Sequence, residues 1–201
     1  IGVFLGLCML LFKDKKRIDI QNSTNAQEEK LSFAEVMTIL VNALKKSPAL
    51  TLTISGGVFY HIILGAAAFE QIWLVEERGF DRSVIAQISG IIAVFAGLAG
   101  VLFGGLVSDW WLEKTNQGRP IFLFWLSLIL LPLGVIYRFV EPTTVIFWVG
   151  VVVGYFQLGC FYGPTFSTVQ ELVPEKIRAT IIAFYILCIN LIGLTIGSLG
   201  A

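Results

Sequence analysis

The residues of this chain that could do chemistry are the polar and ionisable side chains set inside long apolar segments. His61 is the one histidine, and Glu70 follows it nine positions later in the same stretch. A histidine so placed can bind an anionic group or carry a proton, and it can equally be a neutral ring hydrogen-bonded to a neighbouring helix; its type leaves both open. Nine residues advance an ideal helix by about two and a half turns, so His61 and Glu70 point to opposite faces unless the helix is broken. Glu70 therefore reads as a rim carboxylate that snorkels toward water. Tyr155, Gln157, Phe161, Tyr162 and Asn190 complete the set of residues suited to lining a cavity. Gln157 and Phe161 share one helical face, while Tyr155 and Tyr162 share another, so only one pair can line a cavity in full. Gly159, Gly163 and Pro164 lie together, where a proline that removes a backbone donor allows a helix to bend as a gate.

These residue types point to binding and movement, not to bond making. The chain holds no His-Glu-x-x-His, no paired intramembrane aspartates and no nucleophile elbow, so it reads as no enzyme. A phosphate-cradling loop ending in Lys-Ser or Lys-Thr is also missing, which excludes nucleotide hydrolysis by that device. Cys8, Cys160 and Cys188 all fall in apolar segments without metal-ligand spacing, so they read as apolar fillers, and neither a metal nor a cofactor is called for.

The elements that must position these residues are membrane helices. The chain is 56% hydrophobic and 14% charged with a mean hydropathy of +0.83, against about a quarter charged residues in soluble domains. About 20 apolar residues span a bilayer, and stretches of that order run over 49–75, 84–108, 121–140, 145–169 and 179–201, with the end of a further helix at 1–12. Pro48, Pro120 and Pro174 stand at helix starts, Pro142 lies in a loop, and Pro132 and Pro164 fall inside spans. Alternate loops divide the basic residues eleven to three: Arg78, Arg82 and Arg138 lie on one side and all the others on the opposite side. The richer side is cytoplasmic, so loops 13–47, 109–120 and 170–178 face the cytosol.

Residues 13–47 form a cytoplasmic linker whose polar start, through Gln21-Asn22-Ser23-Thr24-Asn25, cannot bury enough apolar surface to fold alone. An amphipathic helix over 32–45 follows, opened by a Ser32/Glu35 capping box and carrying Phe33, Val36, Met37, Leu40, Val41 and Leu44 at helical spacing. It lies either on the inner membrane surface or on the cytoplasmic face of the bundle. Within the spans, Gly97, Gly100 and Gly104, then Gly150 and Gly154, then Gly193 and Gly197 provide the small-residue spacing that lets helix backbones approach. The segment from 109 to 119 reads as a short charged hinge between two spanning helices, with Trp110 and Trp111 as interfacial anchors.

Gly105-Leu106-Val107-Ser108-Asp109 resembles the Gly-x-x-x-Asp that begins the loop signature of the major facilitator superfamily, at the junction of helices eight and nine. The basic residues that follow in the family are replaced here by Trp110 and Trp111, with Lys114 and Arg119 arriving later. Phe161-Tyr162-Gly163-Pro164-Thr165, Val173-Pro174-Glu175-Lys176-Ile177-Arg178-Ala179-Thr180, Asn190-Leu191-Ile192-Gly193 and the 69–79 stretch look like the Spinster-like branch. The resemblance implies an all-α membrane protein, the C-terminal helical bundle of a twelve-helix major facilitator fold. The chain would comprise the end of helix six, the linker and helices seven to eleven over 48–201, and the N-terminal half of the same transporter would be its partner. It implies secondary active transport of a small, amphiphilic or lipid-like organic solute across the plasma (inner) membrane by rocker-switch alternating access, with protons as a coupling ion. It further implies a conformational-switch motif of Gly105, Asp109, Arg119 and Arg178, in which Asp109 rests against the start of helix eleven beside Arg178. A membrane receptor or scaffold that keeps the fold without transporting is the alternative.

Overall fold

The computed structural model describes residues 32–67 and 69–199, so the expected helix end over 1–12 and the polar start of the linker lie outside the described residues. Regular structure among the described residues is helical throughout. Helix α1 (Phe33–Lys46) is followed by α2 (Pro48–Ala67), α3 (Glu70–Glu76), α4 (Arg82–Thr115), α5 (Arg119–Ile136) and α6 (Val145–Glu171). A 3₁₀ turn at Glu175–Ile177 then leads into α7 (Arg178–Leu187), a π-helical segment (Cys188–Leu194) and α8 (Thr195–Leu199). Five stretches are long and apolar enough to cross a membrane: Pro48–Glu76, Arg82–Thr115, Arg119–Ile136, Val145–Glu171 and Glu175–Leu199. They make the all-α helical bundle expected from composition.

Successive spans run in opposite directions, which gives the bundle a basic end and an aromatic end. Glu35 accepts the Ser32 N–H at 2.7 Å, one arm of the capping box, and starts α1. Leu40 of α1 is buried with Leu50, Val169, Val173, Ile177 and Ile181, so the helix packs on the bundle; Met37 and Val41 stay exposed. At the aromatic end Leu74, Ile85, Tyr137, Phe147 and Val151 form a second core. Phe147 lies within 6.5 Å, ring to ring, of Trp73, Phe80, Tyr137 and Trp148.

Glycine seams hold the long helices together at several of the expected positions, though a Cβ at Gly97 would meet nothing within 4 Å. A Cβ at Gly104 would fall 2.6 Å from the Cys160 Cα and O, and one at Gly100 or Gly159 would strike backbone across the same α4–α6 interface. Bare backbones in contact maximise van der Waals packing where lipid supplies no hydrophobic drive between helices. Gly193 and Gly197 do the same against α2, where Cβ atoms would meet His61 and the Ile62 carbonyl. Gly150 lies under the Tyr137 ring, whereas the space around Gly154 is open, so Gly154 takes no part in a close approach.

Several expected boundaries shift for local reasons. Helix α4 begins before residue 84 because Asp81 caps it, accepting the Ser83 and Val84 N–H groups at 2.9 and 3.0 Å. It also does not stop at Ser108: nothing between 105 and 115 breaks it, and it ends only where Asn116 turns left-handed at φ 54° and donates to the Leu112 carbonyl. The expected eleven-residue hinge is thus largely helix, and Asn116, Gln117 and Gly118 alone make the turn. With 34 residues α4 is about 51 Å long, longer than the hydrocarbon core, so its last turns reach beyond it. Helix α5 ends at Ile136, short of residue 140, and the last span is divided by the π segment. Gly79, at φ 73°, makes the turn that joins α3 to α4.

Candidate functional site

Three groups of polar side chains emerge, one at each end of the bundle and one between. At the basic end Arg119, the first residue of α5, reaches two carboxylates at once. Its Nε lies 2.8 Å from Asp109 Oδ1 and its NH1 2.6 Å from Glu171 Oε2. Asp109 stands two turns inside α4 and Glu171 ends α6, so one guanidinium ties three helices together. Only 11% of the Arg119 side chain is exposed, against 59% for Asp109 and 56% for Glu171. These are the ion pairs among the described residues, which corrects the expected contact of Asp109 with Arg178: Arg178 is exposed at the start of α7. Arg119, at the start of α5, reaches Asp109 across the turn formed by Asn116, Gln117 and Gly118. Gly105, one turn earlier, is where the Ser108 hydroxyl bonds the chain's own carbonyl at 3.0 Å. Trp110 is exposed, but Trp111 turns inward onto Phe122, ring centroids 6.3 Å apart, and its buried indole N–H lacks a hydrogen-bond partner. Trp111 is therefore a packing residue and not an interfacial anchor.

In the middle, His61 is 2% exposed and lies where α2, α6 and the π segment cross. Its Nδ1 is 2.8 Å from the Gly57 carbonyl, which can only accept, so Nδ1 carries the proton and Nε2 faces the Tyr162 hydroxyl at 3.4 Å. Tyr60 stacks on Phe161 at 4.2 Å beside it. The cluster is packed tightly enough that Gly57 must lack a side chain under Tyr185, and Gly193 under His61. His61, Phe161 and Tyr162 are thus brought together as an interhelical contact.

Toward the aromatic end, Tyr137 donates to Glu70 Oε1 at 2.8 Å, and Glu70 is half-buried, not free at the rim. Phe69 lies in a turn before α3, and Glu70 and His61 do not pair: Glu70 bonds Tyr137 and His61 faces Tyr162. Trp73 is flanked by the Arg78 guanidinium at 4.6 Å and the Arg138 guanidinium at 5.4 Å, and Arg78 also donates to the Arg138 carbonyl. Beside this lies a cleft of about 510 Å³ between α3 and α4, closed on one side by Tyr155 of α6. Gln71, Glu76, Arg82, Ser89 and Tyr155 supply its polar groups, and Ile72, Val75, Ala86 and Ala93 its apolar surface. A second groove of about 320 Å³, between α2 and α7, is lined almost wholly by apolar groups such as Ile54, Val58, Phe59 and Phe184.

Tyr155 alone among the expected cavity residues lines the larger cleft. Gln157 is turned the other way and donates to Ser127 of α5 at 3.1 Å, so it belongs to the α5–α6 contact. Asn190 is exposed and bonds back to the Ile186 carbonyl at 2.8 Å. Gly159 serves the α4 seam, Gly163 is in ordinary contact range of Gly105, and α6 runs as one helix through Pro164, whose carbonyl accepts from Thr168. The departure from α geometry falls in the next span, at Cys188–Leu194. Sequence reasoning missed Glu171, Tyr60, Tyr137, Gln71, Arg82 and Ser89. Glu171 had a signal: an acid in the last turn of a helix opposes the helix dipole and needs a cation nearby. Ser89 had none, because serine is common in spans.

A family model described as Major Facilitator Superfamily matches residues 1–198. No curated protein and no solved structure matches the chain.

Proposed function

The chain belongs to the major facilitator superfamily, and from that membership we propose that it forms helices seven to eleven of a secondary active transporter for a small or amphiphilic organic solute. Two helical halves rock about a site near the midplane, which opens to each side in turn. The basic end faces the cytosol, given the excess of Lys and Arg there, and the membrane is the plasma (inner) membrane.

Support for the mechanism comes from how Arg119 is used. Rocking requires a half that moves as one body and rim contacts that can be made and lost. Backbone contact along α4 and α6 supplies the first property. The Asp109–Arg119–Glu171 group supplies the second, because its carboxylates are more than half exposed and such pairs contribute about 0–1 kcal/mol each. Gly105, Asp109 and Arg119 act in that switch, with Glu171 added and Arg178 at the start of the neighbouring span. His61, Glu70, Tyr155, Phe161 and Tyr162 are the groups nearest the transport path, while Gly163 and Pro164 give α6 a place to flex. The narrower reading, a Spinster-like carrier of lysolipids or sphingoid lipids, is supported by the sequence stretches that resemble that branch.

Flux of labelled solute into proteoliposomes holding the full-length protein tests the proposal. Asp109→Asn is expected to leave folding intact and slow uptake several-fold; unchanged uptake removes the switch role. An imposed proton gradient that drives uptake assigns proton coupling, and indifference to it assigns facilitated diffusion. Uptake of lysolipid supports the branch, whereas uptake confined to polar sugars overturns it.

A further inference from the structure

Polar side chains are not spread evenly around this bundle. Helix α5 turns Ile121, Phe124, Trp125, Leu128, Ile129 and Leu131 outward, and its one internal hydroxyl, Ser127, is used by Gln157. That surface suits lipid. On the other side of α6, the cleft between α3 and α4 gathers an amide, a hydroxyl and a phenol: Gln71, Ser89 and Tyr155, with Ser89 only 4% exposed. Gln71, Ser89 and Tyr155 line the same cleft and form a small polar patch among Ile72, Val75, Ala86 and Ala93. Polar groups in a membrane protein gather on surfaces that face water or a bound solute, because lipid cannot satisfy them.

The charges at the cleft are selective as well. Near the aromatic end, Asp81 is used to cap α4, Arg78 and Arg138 are spent on Trp73 and on a backbone carbonyl, Glu141 accepts from Thr143, and Glu77 is exposed but does not line the cleft. Glu76 and Arg82 line the cleft, both exposed, and neither forms an ion pair among the described residues. One free acid and one free base therefore stand beside a cleft with a hydrogen-bonding patch and an apolar wall.

We infer that this cleft binds a zwitterionic organic solute, its cationic group toward Glu76, its anionic group toward Arg82 and its apolar part along Ile72 and Val75. A solute with a single charge would leave Glu76 or Arg82 unmatched, and a neutral one would leave both. At about 510 Å³ the cleft has the size of a small-molecule site. The inference rests on the transporter reading for its access to solute, and it adds the charge pattern of what is carried.

Its test reads binding and not flux. Gly90→Cys places a thiol at the edge of the cleft of the full-length protein, at an exposed position where a Cβ meets no other atom within 4 Å, and its alkylation by a small maleimide is followed on the peptide that contains position 90 by mass spectrometry. Phenylalanine, its methyl ester (cation only), its N-acetyl derivative (anion only) and a short-chain phosphocholine serve as protecting probes. At least one of the two zwitterions is expected to slow alkylation ten-fold or more below either singly charged probe. Protection by phenylalanine assigns a free zwitterion, and protection by phosphocholine alone assigns a zwitterionic headgroup. Glu76→Gln should erase the advantage over the anionic probe, and Arg82→Gln the advantage over the cationic probe. Equal protection by singly charged probes, or no protection by either zwitterion, overturns the inference. So does a thiol that maleimide does not reach, since another helix then fills the cleft. Protection without flux of any solute would leave the cleft standing and remove the transporter reading; flux without protection would do the reverse.

Discussion

The α4–α6 seam and the rim at Arg119 both join α4 to α6, the seam directly and the rim through a residue of α5, by opposite means. Along the seam, Gly100, Gly104 and Gly159 bring backbone against backbone with no side chain between, and no charge is involved. At the rim, a single guanidinium holds Asp109 and Glu171 through ion pairs whose acidic partners are wet. Close packing is short-ranged and indifferent to salt or pH, so the seam does not weaken when ionic conditions change. Exposed ion pairs gain little and are screened, so the rim can be remade during a conformational change at small cost. The difference teaches that one half of such a bundle can be rigid where it is apolar and labile where it meets water.

The largest effect should come from filling the seam. Gly104→Leu puts a side chain where a Cβ already lies 2.6 Å from Cys160 backbone atoms, and overpacking of this kind costs about 1–3 kcal/mol or more. Thermal unfolding in detergent should show a clear loss of stability; an unshifted melting temperature would mean that the helices are not in contact there. Next comes the aromatic end, where Tyr137→Phe leaves the half-buried Glu70 carboxylate without its 2.8 Å donor and should cost about 1–3 kcal/mol in the same measurement. Arg119→Gln, which removes both ion pairs, should change stability by less than about 1 kcal/mol while slowing flux more than Asp109→Asn or Glu171→Gln alone. Loss of folding on that substitution would make the rim a structural lock and erase the contrast with the seam. The smallest and most discriminating effect is that of salt. At about 1 M ionic strength, where the Debye length is ~3 Å, flux of the parent protein should approach that of Arg119→Gln, and the Gly104→Leu melting temperature should stay where it was.

Legibility in the sequence followed the range of the interaction that decided each feature. The number of spans, the capping of α1 and the seam glycines Gly100 and Gly104 rest on local propensity, helical spacing and small size, and these were readable, as was the superfamily, through Gly105 and Asp109; Gly159, expected as part of a bend, proved to belong to the seam instead. The end of α4 was misread because a charged, tryptophan-bearing stretch resembles a loop in composition, although nothing in it breaks a helix before Asn116. The partner of Asp109 was expected from the family resemblance to be Arg178, and it is Arg119 instead, a contact between helices that no local pattern around Asp109 specifies. Gln157 and Tyr155, two residues apart, were equal in sequence, and only the rotation of α6 sends one to Ser127 and the other to the cleft.

By itself, then, the sequence determined a membrane-spanning helical bundle of this superfamily, and some of the small residues through which its helices touch, such as Gly100, Gly104, Gly193 and Gly197. Tertiary structure decided which carboxylates share Arg119, that His61 is locked against Tyr162, and that Glu76, Arg82, Ser89 and Tyr155 border one cleft. The physical reason is helix rotation. Glycine spacing fixes which face of each helix is in contact, but the azimuth at which two such faces meet depends on every side chain along the seam, and that azimuth sets which polar groups converge.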